Sequence, residues 1–144
     1  MRRSMKFICF DYGRRRIGVA VGQTITGTAQ AETVLNWDAV SLPWNHIEKL
    51  IQSWHPDKIV VGKPCNMDGT PHEITEAATD FAQQLSEKFG ADVRMMDERL
   101  SSKEAEELYK SQRADGRKRS KKAPIDALAA KVILESWMRD QGYV

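Results

Sequence analysis

The run Lys58-Ile59-Val60-Val61-Gly62 constrains this chain most. It is apolar without alternation, which is how a strand buried on both faces of a parallel sheet reads. Such a strand must be covered by other layers above and below. The flanking segments supply helices for that purpose. Pro43 opens one, with the stripe Ile47, Leu50, Ile51 and Trp54 at helical spacing. Thr70 and Glu73 form a capping-box pattern with Pro71 at the first helical position. The stripe Ile74, Ala77, Ala78, Phe81, Leu85 and Phe89 then runs to a terminating Gly90.

Three further strands precede these elements. Lys6 to Tyr12 and Arg16 to Gly22 are apolar runs joined by Gly13-Arg14-Arg15, which reads as a hairpin. Ala29 to Trp37 is more polar and belongs nearer an edge. Later, Ala91 to Glu98 reads as a fifth strand, and Ser101 with Glu104 caps another helix. Residues 111–123 lack apolar periodicity, and Pro124 to Arg139 is the last helix. Its apolar stripe is Ile125, Leu128, Ala129 and Val132. The expected architecture is one α/β domain over residues 1–144. It is a mixed five-stranded sheet, an antiparallel three-stranded meander plus parallel strands, with helices on both faces.

The 144 residues suffice for one real core. An apolar share of 41% and a charged share of 29% are those of an ordinary soluble protein. No stretch approaches a membrane span, and the first four residues lead into a strand without a signal-peptide core. Cys9 falls in a buried strand and Cys65 in a loop, with neither a disulfide framework nor zinc spacing. A reducing, cytoplasmic setting is expected.

Three acids interrupt this apolar pattern. Asp11 ends the first strand, Glu98 ends the fifth, and Asp126 opens the last helical stripe. A carboxylate on a core-facing element costs free energy unless paired or bound to a metal. Singly, each has a plain structural role: a turn former at Asp11, a strand-end charge at Glu98, a helix-dipole partner at Asp126. Together, at positions that converge in such a sheet, they point to a site for a hard cation. Asp97 and Glu98 face opposite ways in a strand, so one of them joins the site. Glu98 is the choice here.

At these residues the chain resembles the YqgF/RuvX family, which has an RNase H-like fold. The likeness rests on Phe10-Asp11-Tyr12-Gly13-Arg14-Arg15-Arg16-Ile17-Gly18-Val19-Ala20. It continues in Val61 to Gly69, in Asp97-Glu98-Arg99-Leu100-Ser101-Ser102, and in Asp126 to Ala130 with Ile133-Leu134. Lys63 departs from the apolar residue usual before Pro64, and Pro71-His72-Glu73 is less typical. Members are described as candidate Holliday junction resolvases and as candidate nucleases maturing the 5′ end of 16S ribosomal RNA precursor. The resemblance therefore implies a metal-dependent nuclease on structured RNA or branched DNA, with Asp11, Glu98 and Asp126 as catalytic metal ligands.

Phosphodiester hydrolysis needs an activated water and a neutralised phosphate. Two magnesium or manganese ions about 3.5–4 Å apart serve both needs. Magnesium takes carboxylate oxygens and keeps several waters, so a few acids suffice. No histidine is required, and His46, His55 and His72 lie in helix or helix-end contexts.

A basic segment supplies a second argument. Arg113, Arg117, Lys118, Arg119, Lys121 and Lys122 stand against Asp115 alone, in a chain whose net charge is only +2. The rest of the chain is thus acidic, and the asymmetry points to a polyanion. Arg14, Arg15 and Arg16 form a second cluster beside Asp11. Tyr12 reads equally as a base-stacking or a buried ring. Trp54 and Trp137 read as core, while Trp37 and Trp44 flank a loop as candidates for exposure. None of the four is assigned to ligand binding.

Three function classes compete: a nuclease, a catalytically weak nucleic-acid-binding module of the same fold, and an actin-like or sugar-kinase-like ATP binder. The third is suggested by Asp11-Tyr12-Gly13 followed by Gly18, but those proteins bind nucleotide between two domains and this chain has room for one. Monomer and homodimer both remain open, as do endonucleolytic and exonucleolytic cleavage.

Overall fold

The computed structural model describes residues 4–13, 16–37, 41–63, 73–97 and 125–143. In order these form β1 (Lys6–Asp11), β2 (Arg16–Gln23), β3 (Thr28–Asn36), α1 (Trp44–Trp54), β4 (Lys58–Lys63), α2 (Glu73–Phe89), β5 (Val93–Asp97) and α3 (Ile125–Asp140). The sheet order is β3-β2-β1-β4-β5. β1 pairs antiparallel with β2, and β2 with β3. β4 runs parallel to both β1 and β5. This is the mixed sheet expected, with β3 on an edge and β4 inside the parallel half. The helix expected from Ser101, the loop from Pro64, Thr70 and Pro71 lie outside the described residues.

Both faces of the central strands are buried. Ile8, Phe10, Ile59 and Val61 join one cluster with Ile47, Phe81 and Leu85, under α1 and α2. Phe7, Cys9 and Val60 join another with Ala130, Ile133, Leu134, Trp137 and Met138, under α3. Period-2 alternation assigns every strand residue to one layer or the other. Burying each large side chain contributes about 1.5–3 kcal/mol, so the two layers together carry the fold. Edge-to-face contacts fix them further: Phe10 meets Phe81 at 5.7 Å and Phe7 meets Trp137 at 5.1 Å.

α3 buries more than one stripe. Leu128, Ala129 and Val132 of the expected stripe are buried. Ala130, Ile133, Leu134, Trp137 and Met138 are buried as well and join the cluster over the sheet. The helix is apolar nearly all round, so periodicity alone selects no face. The sheet selects it. Below α3 lie Ala20, Ala29 and Gly22, which let the helix come close. A Cβ on Gly22 would sit 3.0 Å from Met138 Sδ and 3.1 Å from Leu134 Cδ2.

Element ends follow local rules. Gly90 ends α2 in the left-handed region, φ +60, with its N–H donating to Ser86 O. His55 does the same for α1 at φ 49, its N–H donating to Ile51 O. β5 begins at Val93 rather than Ala91. Asp92 just before it accepts from Lys58 Nζ and Arg94 Nε instead.

Candidate active site

Asp11 is the last residue of β1 and is half-buried. Its place is set by alternation. Phe7 and Cys9 face the α3 layer, so Asp11 faces it too. Phe10 and Tyr12 face the other layer. In register, Asp11 stands opposite Gly18 on β2 and Gly62 on β4. Both cross-strand neighbours of this carboxylate therefore lack a side chain. Glycine in a strand interior marks a place where a ligand or another backbone comes close. The carboxylate belongs to a residue flanked by two glycines, on the central strand, at the carboxyl end of the parallel strands.

α3 returns to the same end. Its Trp137 packs on Phe7, near the start of β1, as does Tyr143 just beyond the helix. From Trp137 back to Asp126 is about 16 Å of helix. From Phe7 forward to Asp11 is about 13 Å of strand. The helix start and the strand end thus reach the same side of the molecule. The backbone places Asp126 at the second position of α3, in its first turn.

β5 ends level with β4. Lys63 pairs with Asp97, and Gly62 pairs with Met96. Met96 packs toward the α3 layer and Met95 toward the other. Glu98 lies outside the described residues, as do Arg14, Arg15, Arg113, Arg117, Lys118, Arg119, Lys121 and Lys122. Arg16 opens β2, exposed, opposite Asn36. Among the described residues no three His, Cys, Asp or Glu side chains form a metal cluster. Asp11 is the one member of the acid set whose side chain is described.

The aromatic residues correct the sequence reading. Tyr12 is buried, 5.2 Å from Phe81 and 5.9 Å from Trp37, so of its two readings the core one holds. Trp37 and Trp44 are half-buried rather than exposed. Trp37 Nε1 donates to Gly13 O at 2.9 Å. Trp44 stacks on Phe81 at 5.6 Å, with Lys88 Nζ over its ring. Gly13 was read only as a hairpin residue. A Cβ there would lie 2.5 Å from Arg16 O, so the turn after Asp11 admits only glycine. No local signal could have revealed the indole bond, which joins residues far apart in sequence.

Comparison with known proteins fits this geometry. The profile of the family described as "RuvX: Holliday junction resolvase" matches residues 5–140. A protein of Azotobacter vinelandii named "Putative pre-16S rRNA nuclease" is 47% identical over 134 residues, 92% of each chain. One of the same name from Escherichia coli strain SE11 is 43% identical, over 94% of this chain and 96% of its own. Among solved structures, Thermus thermophilus RuvC with a Holliday junction substrate superposes with a TM-score of 0.61 at 14% identity, covering 96% of this chain and 98% of that one. The fowlpox virus Holliday junction resolvase gives 0.59 at 12% identity, covering 95% and 99%. The sheet and its helices are thus an RNase H-like fold of the kind these resolvases share, and the chain belongs to the RuvX family.

Proposed function

We propose that this chain is a divalent-metal-dependent nuclease acting on structured nucleic acid, and that its substrate is the 5′ side of pre-16S rRNA. The observation that carries the reading is Asp11, half-buried between Gly18 and Gly62 at the carboxyl end of the central strand, with the first turn of α3 returning to that end. The relatives' names supply the substrate. That substrate lies in the cytoplasm.

The donor set suits magnesium or manganese. Asp11, Glu98 and Asp126 offer only carboxylate oxygens, the ligands a hard cation prefers. Glu98 follows Met96 by the two-residue period of a strand, and Met96 packs toward the same layer as Asp11. Bound there, a pair of cations would activate water and neutralise charge on the phosphate. The chain's own task is to hold the acids in place and bring the backbone to them. Arg14, Arg15 and Arg16 flank Asp11 in sequence, and Arg113, Arg117, Lys118, Arg119, Lys121 and Lys122 precede Asp126. These cations would hold phosphates on either side of the scissile bond.

A second reading is a junction resolvase, favoured by the family description and by the shared fold. A junction is cut symmetrically, so that reading needs two copies, whereas trimming one RNA end needs one. The test is cleavage by purified protein of precursor rRNA and a four-way DNA junction side by side, with magnesium, manganese or chelator. Metal-dependent cutting of the precursor at the 16S boundary is expected. Preferential, symmetric cutting of the junction by a dimer would replace this reading with the second. Absence of cleavage on both would leave only a binding module.

A further inference from the structure

Resting on the nuclease reading above, we propose that the groove between the end of β3 and the start of α1 is a subsite for one unpaired nucleobase of the substrate strand. The groove has a volume of about 580 Å³ and is lined by Asn36, Trp37, Leu42, Trp44, Asn45 and His46, among others. Among the described residues that line it, none is Lys, Arg, Asp or Glu. The described lining offers what a neutral planar ring calls for: aromatic surface and neutral polar groups.

The two indoles are held firmly. Trp37 is fixed by its bond to Gly13 O and by Tyr12. Trp44 is fixed by Phe81 and Phe89, and Lys88 Nζ lies over its ring, so a base stacking there displaces the flexible ammonium. Each ring spends part of its surface on the core, and each also lines the groove. A platform already immobilised loses little entropy when a base stacks on it. Asn36, Asn45 and His46 are exposed and present donors and acceptors for the edge of a base.

Position ties the groove to the acids. Asn36 pairs with Arg16, and Gly13, which anchors Trp37, follows Asp11 by two residues. The groove is thus at the same end of the sheet as Asp11, on the opposite layer. A strand crossing that end would meet both. A base inside a duplex has both faces stacked and cannot enter such a recess, so the occupant is a base out of the helix.

The test is heteronuclear NMR of labelled full-length protein without metal, so that no cleavage intervenes. The probes are a seven-nucleotide single-stranded RNA and the same sequence as a blunt duplex. The single strand should shift the indole signals of Trp37 and Trp44 and the side-chain amide of Asn45, and leave those of Trp54 and Trp137 in place. Trp44→Ala should weaken single-strand affinity about 5- to 150-fold, the range for one stacked base. Asn45→Ala, on the exposed side of α1, should weaken it severalfold without touching the core. Equal shifts with the duplex would overturn the proposal, as would shifts elsewhere that spare both indoles. A protein that cleaves with metal yet shows no indole shift loses the groove and keeps the nuclease reading. One that shows the shifts and never cleaves does the reverse.

Discussion

Trp37 Nε1 donates a 2.9 Å hydrogen bond to the carbonyl of Gly13, tying the end of β3 to the turn that follows Asp11. The bond crosses from one strand of the meander to the hairpin of the other two. It holds a turn whose glycine has no room for a side chain. The chain that leaves Asp11 is therefore fixed by tertiary contact as well as by its own ladder.

Trp37→Phe tests that role. The phenyl ring keeps much of the packing on Tyr12 and loses the donor, leaving the Gly13 carbonyl without its indole. Destabilisation of about 1–2 kcal/mol is expected, a drop of a few degrees in Tm. If the turn positions Asp11, kcat falls by more than KM rises in the cleavage assay. A change confined to Tm would make the bond purely structural.

The acids come next. Asp11→Asn and Asp126→Asn keep shape and remove a charged ligand, so both should abolish magnesium- or manganese-dependent cleavage, with Tm changing by no more than about 3 °C. Glu98→Gln should do the same, while Asp97→Asn keeps turnover and at most lowers Tm, because neighbours in a strand face opposite ways. Turnover and melting curves for the four variants decide it. Loss of activity in Asp97→Asn with retention in Glu98→Gln would invert the assignment.

Asp11 was legible in the sequence because an apolar run ends on it, and run and acid together imply a buried strand end. Its two glycine neighbours were not. Gly18 and Gly62 come beside Asp11 only through pairing with β2 and β4, and pairing is not written locally. The mixed sheet followed from one doubly buried strand and the helices around it, but the order of its strands did not. Nor did the residues of α3 that meet the sheet, since Leu128, Val132, Ile133 and Leu134 are all apolar and buried, and Gly22 and Ala20 beneath bring the helix close. Trp37 and Trp44 misled for a similar reason: their partners, Gly13 and Phe81, are distant in sequence.

Gly22→Ala probes how closely α3 sits. The new methyl would meet Met138 Sδ at 3.0 Å, Leu134 Cδ2 at 3.1 Å and the Thr28 carbonyl at 3.2 Å. The two side chains can give way and the carbonyl cannot. Overpacking of this kind costs about 1–3 kcal/mol. Chemical denaturation should show a lower midpoint at unchanged slope. An unchanged midpoint would mean that α3 rides higher over β2 than described.

Asp92 makes a pH prediction. Hydrogen bonds from Arg94 and Lys58 lower its carboxyl from the ordinary 3.8 to about 2. A depressed folded-state value stabilises the protein above about pH 3.8, and that contribution is lost as pH falls toward 2. The side chain is 41% exposed, so solvent screening holds the effect below about 1 kcal/mol. Wild type should melt slightly higher than Asp92→Asn at pH 6, and the gap should close by about pH 2. A gap independent of pH would show that the pairs with Lys58 and Arg94 act through shape and not charge.

The basic segment from Arg113 to Lys122 makes the last prediction. Cations that contact phosphates release counterions, so affinity falls with salt at about −0.9 per phosphate neutralised on duplex. Replacing Lys118, Arg119, Lys121 and Lys122 with alanine should weaken binding to all sequences alike, because phosphate contacts position without reading bases. The salt slope should flatten by up to about four contacts' worth. The segment has no apolar stripe to pack, so Tm should hardly move. Fluorescence anisotropy at several salt concentrations reads both slope and affinity. An unchanged slope would exclude the segment from the interface and shift the phosphate contacts to Arg14, Arg15 and Arg16, where triple replacement should then flatten the slope instead.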